Sequence, residues 1–118
     1  MARGLYSAIG HWPDAELADV LAMLDALARR ITAGEPVDDP HAKAAADAIH
    51  VFEARVGCAC GLQAERVMTP QGPAIELGNL DHRGFGAEHE AAARVVAERL
   101  RALLERFGAT DAFAFTLD

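Results

Sequence analysis

The sequence contains no apolar run of the roughly 20 residues that a membrane-spanning helix needs, because charges interrupt each helical segment. The first residues include Arg3 but no apolar run long enough for the core of a signal peptide. The chain has only two cysteines, Cys58 and Cys60, and their close spacing prevents them from stapling distant parts of a fold. These absences predict a cytoplasmic protein.

Serine and basic residues are also scarce. Ser7 is the only serine, so no serine, histidine and acid arrangement for nucleophilic catalysis is recognisable. Lysine and arginine total 11 against 18 acidic residues, giving a formal net charge of −7. Such a chain is repelled by phosphate backbones, which disfavours direct nucleic-acid binding, whereas its acidic surface can attract a basic protein partner.

The composition is that of an ordinary globular protein. Of the 118 residues, 52% are hydrophobic and 25% are charged. A chain of this length can bury about two-thirds of its unfolded surface without disulfide support. We therefore predict one α+β domain over residues 1–118.

The first half of the chain carries two helix signatures. Pro13, followed by acidic residues, favours a helix start, and Gly34 can supply its left-handed cap. Asp39 and Pro40 are typical of the start of a second helix, which Gly57 would end. The short linker predicts that these two helices form an antiparallel hairpin. Trp12, together with Tyr6, is expected to pack on the core as an N-terminal plug; the alternative is that the pair forms an exposed binding anchor.

The second half alternates between strand and helix patterns. Residues 64–69 and 74–77 resemble strands joined by a turn at 70–73, residues 87–107 have helical periodicity, and residues 112–117 alternate as a strand does. The predicted order is ααββαβ, in two layers. Three helices cover one face of a three-stranded, mainly antiparallel sheet, with the final strand placed beside the first hairpin strand.

The Cys58 and Cys60 pair is the first candidate for chemistry. Two thiolates one residue apart can chelate a soft or transition metal ion or form a strained disulfide, with His82 and His89 as further ligands. No second cysteine pair exists to complete a typical zinc site. The alternative is that both cysteines are small buried apolar residues.

A glycine-rich loop leading into the third helix is the second candidate. Its binding residues are predicted to be Asp81, His82, Arg83, Glu88 and His89, which could supply a general base, a metal site or a ligand contact. The alternative is that they are helix-start and surface residues.

Three functional hypotheses follow. The first is a small acidic, noncatalytic protein-interaction module: a regulator, inhibitor, immunity-type protein or accessory subunit, including a phage or mobile-element inhibitor of a nucleic-acid-binding machine. It needs no cofactor and no catalytic residue. The alternatives are a metal-binding or thiol redox protein and a small enzyme or ligand-binding domain using residues 81–90. A homodimer that uses Met68, Phe113 or Phe115 on the uncovered sheet is compatible with all three.

Overall fold

The computed structural model describes residues 5–57, 61–79 and 87–117. A short 3₁₀ turn, Ala87–His89, precedes the third helix. The strands are β1 (Leu5–His11), β2 (Gln63–Thr69), β3 (Gly72–Gly78) and β4 (Thr110–Leu117), and the helices are α1 (Asp14–Thr32), α2 (Pro40–Val56) and α3 (Glu90–Arg106).

The four strands form one sheet in the order β2-β3-β1-β4, and every neighbouring pair is antiparallel. Strand β3 lies between β1 and β2, and strand β1 lies between β3 and β4. Each helical connection therefore skips over one strand, which gives two interlocked split β-α-β units. The predicted α+β class, with helices packed against an antiparallel sheet, is confirmed.

The predicted strand count and order are wrong. No strand was predicted for Leu5–His11, but this segment is strand β1 in the interior of the sheet. Strand β4 pairs with β1 and with neither strand of the β2-β3 hairpin. The order is consequently βααββαβ with four strands, and not ααββαβ with three.

Two aromatic side chains anchor β1 to the rest of the core, as the sequence predicted for packing. Tyr6 is fully buried and its hydroxyl donates to the Gly61 carbonyl at 2.8 Å. The Tyr6 ring meets the Phe52 ring edge-on, with centroids 5.4 Å apart. Trp12 is also buried, and its Nε1 donates to the Phe107 carbonyl at 2.9 Å. Both aromatic residues therefore act as core residues.

Helix α2 begins and ends where the sequence indicated. The Asp39 carboxylate accepts hydrogen bonds from the backbone of His41 and Ala42 at 2.9 and 3.1 Å. Gly57 ends the helix with a left-handed φ of 71°. A second oxygen of Asp39 lies 3.3 Å from Arg106, which brings the start of α2 to the end of α3. These two helices are therefore antiparallel neighbours, and the predicted antiparallel hairpin of α1 and α2 is wrong, because α2 packs beside α3 and makes few contacts with α1.

The helices pack on only one of the two sheet faces. The buried core cluster contains Tyr6 and Ala8 of β1 and Ile75 and Leu77 of β3, together with the apolar stripes of the helices. None of the helices within the described ranges has the length and apolar character needed to cross a bilayer.

Candidate functional site

Most of the residues that the sequence suggested for chemistry lie outside the described part of the structure. Cys58, Cys60, Asp81, His82 and Arg83 all fall in its two internal gaps. The proposed metal site and most of the proposed binding loop therefore remain predictions.

Glu88 and His89 are described, and they form a loose pair at the turn that precedes α3. His89 Nε2 lies 3.6 Å from a Glu88 carboxylate oxygen, and the Glu88 side chain is 74% exposed. Within residues 5–57, 61–79 and 87–117, no group of three histidine, cysteine, aspartate or glutamate side chains could hold a metal ion. The pair alone has the geometry of a surface contact.

The sheet has a second face, which none of the described helices covers and which we call the open face. Side chains of directly opposed residues in an antiparallel sheet share a face, so the strand register assigns its members. They are Gln63, Glu65, Val67 and Thr69 of β2, Ala74 and Glu76 of β3, Ser7, Ile9 and His11 of β1, and Phe113 and Phe115 of β4.

The central row of the open face changes from acidic to apolar across the sheet. Glu65 is opposite Glu76, Glu76 is opposite Ile9, and Ile9 is opposite Phe113. At about 4.8 Å per strand, the row spans about 14 Å from its first residue to its last. One half of the open face therefore presents carboxylates, and the other half presents aliphatic and aromatic side chains.

The two carboxylates have no cationic partner among the described residues. Glu76 accepts a hydrogen bond from the Ser7 hydroxyl at 2.8 Å. Glu65 is exposed and makes neither a hydrogen bond nor an ion pair to a described side chain. Like charges directly opposite each other in a sheet are destabilising, so we expect this pair to cost the folded protein free energy.

Cations lie elsewhere on the described molecule. Arg66 points to the helix side of the sheet, because it is opposite the core residue Ile75. The remaining described lysine and arginine residues are all in helices, where several pair with carboxylates on the same helix. The acidic half of the open face is therefore not neutralised by the described part of the chain.

The apolar half of the open face is accessible. Phe113 is 45% exposed, and its ring centroid lies 6.0 Å from that of Phe115. Ile9 is partly buried beside them. Aromatic side chains that remain exposed next to one another are typical anchors of protein interfaces.

His11 fixes one end of the open face. His11 Nε2 and the Thr69 hydroxyl share a hydrogen bond of 2.8 Å, and the Thr69 hydroxyl also lies 2.9 Å from the Gly72 carbonyl. The buried Nδ1 of His11 has no hydrogen-bond partner among the described residues. His11 is only 8% exposed, and its hydrogen bond with Thr69, the last residue of β2, holds the β2-β3 turn against β1.

A second concave surface runs between α2 and α3, with a volume of about 470 Å³. It is lined in part by Val51 and Val95, which are 67% and 51% exposed. Arg55, Arg99 and Asp47 also line it, so this groove carries cations as well as an acid. Its charge is therefore mixed, in contrast to that of the open face.

The sequence interpretation did not single out Glu65, Glu76 or His11. The turn predicted at 70–73 is shorter in the structure, where only Pro70 and Gln71 separate the strands, so the register that sets the two glutamates opposite each other did not follow from the predicted turn. The signal for His11 was absent, because the segment that contains it was not recognised as a strand.

No protein-family model, curated protein or solved structure matches this chain. Its function is consequently inferred from the chemistry of its own surfaces.

Proposed function

We propose that this protein is a noncatalytic binding module whose open face recognises a protein surface that combines basic and apolar side chains. Regulators, inhibitors and accessory subunits work in this way. The observation that supports the proposal is the central row of the open face, in which two opposed carboxylates without a described cation lead into Ile9 and the exposed Phe113.

The row defines what the partner must supply. A lysine or arginine between Glu65 and Glu76 would relieve the repulsion that the free protein carries. An apolar side chain about two strand spacings away, or about 10 Å, would cover Ile9 and Phe113. The partner therefore carries a cation beside an apolar anchor on one surface.

The proposal can be tested with a synthetic amphipathic peptide whose lysines flank a stripe of leucines. Backbone amide shifts in the nuclear magnetic resonance spectrum are expected to change along the open face when the peptide is added. The double variant Glu65→Gln/Glu76→Gln should weaken binding about fivefold, because two exposed charge contacts are lost. Phe113→Ser should weaken it about tenfold, because an aromatic anchor is lost.

A matched control separates the open face from net charge. Asp14→Asn/Glu16→Gln removes two acidic charges from the first turn of α1 and should leave the affinity unchanged. Equal weakening by both double variants, or shifts that map to the helices, would show that the peptide responds only to overall charge and would refute the proposal.

A further inference from the structure

The two edges of the sheet are chemically unequal. Strand β2 forms one edge and carries Glu65, Arg66 and a following Pro70, which are typical of an edge protected against pairing. Strand β4 forms the other edge, and residues 112–116 contain no charged side chain. An unprotected edge of this kind can accept another strand.

A bulge marks where the regular part of the β4 edge begins. The pairing register between β1 and β4 shifts between Ile9 and His11, and Asp111 adopts a φ of 49° at this point. From Phe113 to Leu117 the pairing with β1 is regular. The only charged residue that the structure describes in β4, Asp111, therefore lies outside the regular stretch.

We propose that two copies of this chain pair through their β4 edges, antiparallel about a two-fold axis at Ala114, to form a continuous eight-stranded sheet. The residues around Ala114 read alanine, phenylalanine, alanine, phenylalanine, threonine, so reversing the strand nearly reproduces it. The two-fold axis places Phe113 opposite the partner's Phe115, and Phe115 opposite the partner's Phe113. The local sequence therefore complements itself, as a two-fold interface requires.

The distribution of charge favours binding of a second copy at the β4 edge and disfavours binding at the other surfaces. Each chain has a net charge of −7, so two copies repel each other over most of their surfaces. Pairing residues 112–116 brings no like charges opposite each other and buries part of Phe113, which is 45% exposed in one chain. Each aromatic pair across the axis adds a favourable contact beyond its buried area.

The inference does not rest on the proposed function, although Phe113 and Phe115 take part in both, because backbone pairing at the β4 edge needs no ligand on the open face. Sedimentation equilibrium should give a mass of twice 12.5 kDa for the unmodified chain. A single 12.5 kDa species at every concentration up to about 1 mM would overturn the proposal.

Two single variants test the register. Phe113→Lys and Phe115→Glu should each weaken dimerisation about tenfold, because both aromatic pairs are lost from the homodimer. Mixing these two variants should restore dimerisation about tenfold, because the heterodimer regains one aromatic pair and sets a lysine opposite a glutamate. Mixing Phe113→Lys with Phe115→Lys is the matched control, because that heterodimer regains the same aromatic pair but sets a lysine opposite a lysine, and it should give a smaller gain.

Equal dimerisation in both mixtures, or full dimerisation by Phe113→Lys alone, would refute the two-fold register at Ala114. Hydrogen exchange on the unmodified chain gives a second readout that needs no folded variant. The outward amides in residues 112–116 should exchange more slowly as concentration rises, while the outward amides of β2 should not change. Equal behaviour at the two edges would also contradict the proposal.

Discussion

Gly10 lies where β1 passes close to the connection between α3 and β4. A Cβ atom added at this position would lie 2.7 Å from the Cβ of Ala109, and the side chains of Trp12 and Leu104 are within 3.4 Å. These neighbours belong to a packed core and leave little room for movement. The residue is therefore required for the close approach of these elements.

The substitution Gly10→Ala is expected to lower the free energy of unfolding by about 1–3 kcal/mol, because an extra methyl group overpacks the core. Urea denaturation followed by circular dichroism measures this change. A value within about 0.5 kcal/mol of the unmodified protein, the range of neutral surface substitutions, would mean that β1 is not held so tightly.

Small buried residues such as Gly10 also explain why β1 was not predicted from the sequence. Interior strands usually favour β-branched and aromatic residues, but β1 contains Ala8 and Gly10. Ala8 is fully buried in the core cluster, and Gly10 is buried against the α3-β4 connection. Close packing requires small residues at these two positions. Because alanine and glycine have low strand propensity, the sequence of β1 gives only a weak strand signal.

At the scale of the elements, the helices were the most predictable part of the fold. The caps of α2 at Asp39 and Gly57 are local signals, and the structure places both as expected. The hairpin and the last strand were also recognisable, because they alternate over short distances. The strand order was not, because pairing between β1 and β4 joins the two ends of the described chain and depends on no local pattern.

The candidate site follows the same division between local and long-range information. Opposition of Glu65 and Glu76 depends only on the hairpin turn, but that turn is two residues shorter than the one predicted at 70–73. Their placement beside Ile9 and Phe113 depends on the order of all four strands. The combined acidic and apolar surface therefore required the structure.

The N-cap of α2 provides a prediction at this scale. Asp39→Ala should lower the free energy of unfolding by about 1 kcal/mol, because two backbone amides lose their acceptor. Thermal and urea unfolding measure the loss. The neighbouring substitution Asp38→Ala is the control, since Asp38 is exposed and makes no cap contact, and it should have little effect. Equal losses in both variants would argue that net charge, and not capping, is responsible.

At the scale of the whole molecule, charge is divided between the two sides of the sheet. The described arginines of the helical side are largely matched with acids, as in the contacts of Arg101 with Glu98 and Glu105 at 3.0 Å. Hydrogen bonding to Glu98, together with the negative charges of both glutamates, raises the pKa of Arg101. The open face holds its two glutamates without such matching among the described residues, and under the proposed function stability is given up there for binding.

The most direct test of this account is the free energy of unfolding of Glu65→Gln/Glu76→Gln at low and high salt. The account predicts that this variant is more stable than the unmodified protein by about 0.5–1 kcal/mol at low salt, because the facing charges are removed. The difference should vanish near 1 M salt, where the screening length is about 3 Å. Asp14→Asn/Glu16→Gln, with the same change in net charge, should instead lose stability, because acids in the first turn of α1 favour the helix. A Glu65→Gln/Glu76→Gln variant less stable than the unmodified protein would show that the two carboxylates serve the fold, and would contradict the account.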